Sequence, residues 1–322
     1  MPIGPELALN ELSLENRARS IDIARERMCE LVGTIQRAVH YGASRSVRTL
    51  RSFYSAELAS GYPVARWRHD AGVDGVTREL FLSLTVAAPY LDDLEAGPVD
   101  DSAIDEYTWD GVQVMGFGHA HRAGGLAVSI RSDTAWDNET INVTLRCLEN
   151  DGSLAEADVP VPHASAVSHV EHHSEWIVQR AAELTRIRVR DGRELWQRRG
   201  ELFPRLIFCD AVADQLTGMP SGHEMLIPVC ERLSELEVFR AEWHSGPFAP
   251  VGQLRNVAPE SEPTLQRFSG ERTFRCPDGE ERLFSWHLRL RNGWRIYFAE
   301  SDTVGAVVVG YVGPHRRTVR YP

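Results

Sequence analysis

The sequence predicts an α+β fold in two domains, and three observations carry that prediction. The chain has 322 residues, and domains of roughly 100–200 residues are the common size. Residues 1–200 mix apolar residues at helical spacing with short alternating runs. Residues 201–322 read as a strand, two helices and an antiparallel meander with turn chemistry at its bends. The domains are therefore expected at 1–200 and 201–322.

The first domain opens on a long amphipathic helix. Leu14, Ala18, Ile21, Met28, Val32, Ile35 and Val39 recur at intervals of three, four or seven, which places them on one stripe. Ser13 is placed to cap its start and Gly42 to end it, while Gly33 inside it lowers its stability. The stripe predicts packing within its own domain; over residues 14–40 it would also let two copies pair as a homodimer. Helical signals follow at 44–60 and 74–90, and residues 95–110 are acidic and turn-rich, as in a surface loop. Gly116-Phe117-Gly118 is not a dinucleotide fingerprint, because a third glycine and the later acidic residue are wrongly placed. Leu126 to Ile130 reads as a buried strand, and Ile141 to Leu145 alternates as a second before a turn at Asn150-Asp151-Gly152. Residues 168–186 return to helical period through Val170, Trp176, Ile177, Ala181 and Leu184.

The second domain has a clearer grammar. Leu202 to Val212 is a strand candidate, followed by a short helix through Leu216. Residues 223–241 form a second helix with Met225, Val229, Leu233, Leu236 and Phe239 on one face. Residues 245–263 are rich in proline, glycine and glutamate and read as a loop. Strands Leu283 to Leu290 and Trp294 to Ala299 are joined at Asn292-Gly293, a strong hairpin signal, and Val304 to Val312 is the last strand. A further turn falls at Pro277-Asp278-Gly279.

Composition narrows the chemistry. At 43% hydrophobic and 25% charged residues, the chain is neither disordered nor membrane-spanning in character. All 35 basic residues are arginine, which excludes a Schiff-base lysine, a P-loop lysine and a lysine general base. A net charge of −11 argues against nucleic-acid binding by the chain as a whole. Yet residues 263–322 carry 10 Arg against 6 Asp/Glu, a basic segment on an acidic protein. The N-terminus lacks a basic start and an apolar core, and five widely spaced cysteines fit free thiols, so a cytoplasmic location is expected. No nucleophile elbow, Walker motif or zinc-ribbon spacing points to a cofactor.

The order strand, two helices, three antiparallel strands resembles the RelE/HigB-like toxins of the RelE/ParE superfamily. The resemblance is carried by Trp294-Arg295-Ile296-Tyr297-Phe298, by Val307 to Gly313, and by the basic tail with His315. It covers residues 201–322 and none of the first 200. It implies an antiparallel sheet with two helices packed on it and an endoribonuclease that cuts messenger RNA, in many members on the ribosome. An antitoxin or operon partner is then expected, and the first domain would sense a trigger, dimerise or inhibit.

The residues suit that chemistry on their own terms. Cutting RNA through its 2′-hydroxyl needs a base, a phosphate clamp and an acid for the leaving oxygen. Arginine binds phosphate oxygens with a planar fork, and histidine titrates near neutrality. Arg295 is the candidate clamp and His315 the candidate acid or base, with His287, Arg289, Arg317 and Tyr321 in support. His287 and Arg289 are two apart on a strand and share a face. The alternative is a catalytically silent scaffold that serves as a binding or assembly subunit. Separately, His163, His169 and His173 form a candidate metal cluster, since residues four apart share a helix face and Glu171 or Asp158 would add a ligand.

Overall fold

The computed structural model describes residues 4–85, 90–92, 106–148, 154–243, 248–251, 254, 256–301 and 306–319. The chain divides into two compact units between Thr185 and Arg186, earlier than residue 200. Among the described residues no helix is long and apolar enough to cross a membrane.

Unit 1 is built on an apolar strand that is buried throughout. Leu7-Ala8-Leu9 forms β1 (Leu7–Leu9), parallel to β2 (Val47–Arg48) on one side and to β7 (Leu126–Val128) on the other. Strands buried on both faces read as continuous apolar runs, as this one does. The sheet continues through β9 (Leu154–Ala164), β8 (Thr140–Leu148), β5 (Glu106–Trp109) and β6 (Val112–Gln113). A small hairpin, β3 (Glu57–Ala59) with β4 (Tyr62–Pro63), stands apart from it.

A parallel pair needs a crossover, and α1 (Ile21–His40) supplies it between β1 and β2. Ser20 caps this helix by accepting the Ile23 amide. Its stripe of Ala24, Met28, Leu31, Val32, Ile35 and Ala38 is buried in unit 1's own core, so the face expected to pair two copies is already covered. Leu14 is not part of the helix. Residues Glu11–Leu14 make a separate 3-10 turn that Asn10 caps, and Ser13 donates its hydroxyl back to the Asn10 carbonyl at 2.6 Å.

The segment 44–60 is not helical. Its backbone pairs with β1 through β2, turns at Arg51–Ser55 and enters β3, so sheet pairing overrides the apolar spacing. Further helices are α2 (Val64–Trp67), α3 (Gly75–Thr85), α4 (Met115–Ala123), α5 (Val167–His172) and α6 (Ser174–Arg186). Gly116 lies inside α4, where a Cβ would stand 2.1 Å from the Leu9 carbonyl oxygen. Its glycine therefore lets the helix lie directly on β1. The expected turn at 150–152 and the part of the acidic loop up to residue 105 lie outside the described residues.

Unit 2 holds a five-stranded sheet in the order β10 (Leu206–Phe208), β16 (Val307–Pro314), β15 (Trp294–Glu300), β14 (Trp286–Arg289), β11 (Val257–Pro259). The meander β14-β15-β16 is antiparallel as expected, and its tight turn places Asn292 and Gly293 at φ 56° and 68°. The sheet is nevertheless mixed, because β10 runs parallel to β16. β11 comes from the segment read as a loop and extends the sheet past β14. A separate hairpin, β12 (Thr273–Arg275) with β13 (Glu281–Leu283), turns at Pro277-Asp278-Gly279.

The helices of unit 2 number more than the two expected. These are α7 (Gly192–Leu202), α8 (Asp210–Thr217), α9 (Leu226–Glu242) and α10 (Glu262–Phe268). Helix α7 packs on α8 and α9, which is why the unit begins before residue 200. The contact is close at Gly192, whose amide donates to the Met219 carbonyl at 2.9 Å. A Cβ there would stand 1.7 Å from the Leu216 carbonyl oxygen.

These two glycine environments predict opposite outcomes. Gly192→Ala forces backbone apart and is expected to destabilise unit 2 by about 1–3 kcal/mol. Gly33→Ala, in the middle of α1 with open space at the Cβ position, is expected to stabilise unit 1 by about 0.5–1 kcal/mol. Urea denaturation of each variant against the parent chain reads both.

Candidate functional site

The register of unit 2's sheet decides which polar side chains meet. His287 stands opposite Tyr297 and Arg289 opposite Arg295 across the antiparallel pair β14-β15. Residues opposite one another, and residues two apart on a strand, point to the same face. His287, Arg289, Arg295 and Tyr297 therefore share one face. On the neighbouring strands Ala258 lies beside His287 and Tyr311 beside Tyr297. Glu260 follows β11, anchored by its amide donating to the Ser285 carbonyl at 2.7 Å.

These groups form a buried network around one carboxylate. The Tyr297 hydroxyl donates to Glu260 Oε1 at 3.0 Å, Arg272 Nε lies 3.2 Å from that oxygen, and His287 Nδ1 lies 3.4 Å from it. The Arg272 guanidinium also sits over the Tyr297 ring, 5.5 Å from its centroid. Burial is close to complete: Arg272 and Tyr297 are 0% exposed, His287 and Arg295 2%, Arg289 and Glu260 7%.

Guanidinium groups stay charged in proteins, so Arg272, Arg289 and Arg295 bring three positive charges to this face, and the Glu260 carboxylate stands among them. His287 adapts instead: burial first, then the charges of Arg295, Arg289, His315 and Arg272, hold its protonation well below the ordinary histidine range. Burial and the nearby Glu260 carboxylate push the Tyr297 hydroxyl well above its ordinary value. Two nitrogens of Arg289, Nε and Nη2, and Nη1 of Arg272 are buried without a hydrogen-bond partner among the described residues. Buried donors in that condition are rare and costly, and a fork of them suits an anionic oxygen.

The sequence-predicted residues separate into three groups. His287, Arg289 and Arg295 are brought together in the sheet. His315 follows β16 half-buried, its amide donating to the Gly293 carbonyl at 2.8 Å, and its charge acts on His287. Arg317 is exposed and its guanidinium is held by Glu271, so it does not join the cluster as expected. Tyr321 lies outside the described residues. Sequence reasoning missed Tyr297, Glu260 and Arg272. Tyr297 was within reach, being two residues from Arg295 on one strand. Glu260 and Arg272 come from segments with no periodic signal, brought in by β11 and the turn before β12.

The histidine cluster of unit 1 is arranged otherwise. His163 is fully buried, with Nδ1 2.6 Å from the Asn138 carbonyl and Nε2 2.7 Å from Ser129 Oγ. His173 Nε2 lies 2.7 Å from the Glu139 carbonyl, and His169 Nδ1 accepts from the Ser165 amide at 3.3 Å. Those ring nitrogens are occupied by protein groups, and among the described residues no set of three side chains is placed to hold a metal ion. Burial lowers His163 to a pKa of about 4, which keeps it neutral in this role.

In comparisons with known proteins, no family model, no curated protein and no solved structure matches the chain.

Two outcomes test the network. Glu260→Gln leaves Arg272 buried beside a neutral amide and is expected to lower unit 2's stability by about 3–5 kcal/mol, read by urea denaturation. The second concerns pH. The unfolded chain takes up a proton on His287 as pH falls through about 6.5, whereas the folded chain refuses it. Stability is thus fully present above that value and declines below it, by at most about 1.4 kcal/mol per pH unit from this residue. In His287→Gln the decline between pH 6.5 and 5 should be shallower.

Proposed function

We propose that unit 2 recognises the phosphate backbone of RNA on its cationic sheet face and cuts it there, as the resemblance to RelE/HigB-like toxins implies. One observation carries this reading: Arg289 and Arg295 stand opposite one another across β14-β15, with buried, unfilled donors on Arg289. In this reading the two guanidinium groups clamp the non-bridging phosphate oxygens and stabilise the charge that develops on them. His315, the half-buried histidine after β16 whose charge acts on His287, exchanges the proton with the 2′-hydroxyl or the leaving oxygen. His287 stays neutral and positions the clamp. Glu260, Arg272 and Tyr297 hold the network together, and unit 1 supplies regulation.

Burial favours a second reading. With His287, Arg289 and Arg295 only 2–7% exposed, the face must open before a phosphate reaches it. A face that stays closed would instead make unit 2 the silent core of a binding or assembly subunit.

Cleavage by the full chain separates the two. Purified protein is incubated with messenger RNA, with and without ribosomes, and new ends are mapped. The cleavage reading expects cuts by the parent chain and a loss of roughly 100-fold or more in Arg289→Ala and in His315→Ala. Both variants should keep the parent's circular dichroism. Absence of cuts by the parent chain in either condition leaves the scaffold reading.

A further inference from the structure

Two thiols meet in the interior of unit 2. Cys209 follows β10 and opens α8, with its amide donating to the Val309 carbonyl at 2.9 Å. Cys276 follows β12, with its amide donating across the hairpin to the Glu280 carbonyl at 2.8 Å. Their Sγ atoms are 3.2 Å apart although the residues are 67 apart in sequence. A disulfide bond is about 2.05 Å long, so the two sulfurs need to approach by only about 1.2 Å. Phe274, Phe284, Val308 and Tyr311 wall the pair, and the cysteines are 0% and 2% exposed.

We propose that Cys209 and Cys276 are a redox modification site, at which a peroxide converts the thiol pair to a disulfide that fastens hairpin β12-β13 to the sheet. Cys276 lies on the hairpin, a short two-stranded element whose opening brings it within reach of a small oxidant. Its sulfur takes one oxygen from hydrogen peroxide, forming a sulfenic acid and releasing water. The Cys209 sulfur then displaces the second oxygen as water and the S–S bond forms. Two electrons pass from the sulfurs to the peroxide, and both thiol protons leave in the two waters. At rest, burial and the contact with Cys276 raise the Cys209 thiol far above its ordinary range, so Cys209 waits as a thiol.

The hairpin is the element that matters for the cationic face. Its Phe274 ring stacks on Tyr311 at 5.9 Å, and Arg272, the residue before β12, reaches Glu260 and Tyr297. Fastening Cys276 to the start of α8 therefore fixes the cover of that face. Resting on the RNA reading above, this makes oxidation an off switch for cleavage.

The test uses the full chain, treated with hydrogen peroxide and compared with a sample kept in dithiothreitol. Expected are loss of two of the five thiols, a Cys209–Cys276 cross-linked peptide in a non-reducing mass map, and a melting temperature raised by roughly 5–10 °C. Dithiothreitol should reverse all three, and Cys29→Ser, which removes an exposed thiol, should still cross-link. Oxidation of Cys29 in the parent chain while Cys209 and Cys276 remain thiols would overturn the site. RNA cleavage is read on the same samples. Cross-linking with unchanged cleavage overturns the switch, whereas cross-linking in a chain that cuts no RNA in either state supports the site and refutes the RNA reading alone.

Discussion

Glu260 is the group on which the interior of unit 2 turns. Its Oε1 atom receives the Tyr297 hydroxyl and stands within 3.2–3.4 Å of Arg272 and His287. Those side chains come from two strands of one hairpin and a turn before it, all C-terminal to Glu260. A buried guanidinium without a counter-charge is expensive, so Arg272 occupies its place only because β11 delivers Glu260 to it. The edge strand is thus an electrostatic element as much as a structural one.

The arginine-only composition sharpens this constraint. A buried lysine can shed its proton when no anion is near; arginine cannot. Three guanidinium groups gather around the Glu260 carboxylate, and the histidine among them yields by staying neutral. So many buried charges make the face demanding to fold. Its neighbours respond to that demand: the aromatic rings of Phe274, Tyr297 and Tyr311 exclude water, and the Tyr297 hydroxyl adds a donor to Glu260.

Local rules made much of both units legible. The Asn292-Gly293 hairpin, the strand Trp294–Glu300 and helix α9 follow from turn chemistry and period, and the stripe of α1 is found from Ile21 onward, one turn and more after its expected start. Residues 44–60 carry helical spacing yet pair as strand: there a contact with β1 outweighs local preference.

The division between sequence and fold is plainest at the candidate site. By itself the sequence determined that no lysine is available to any chemistry, that basic residues gather in the last sixty positions, and that His287 and Arg289 share a face. Strand alternation and side-chain chemistry are local properties, so one chain is enough to read them. Only the tertiary structure decided that Arg317 is held by Glu271, that Glu260 and Arg272 complete the cluster, and that Cys209 meets Cys276. Those facts depend on which distant segments come to lie beside the meander, and burial, not sequence spacing, sets the energy of each charge once they do.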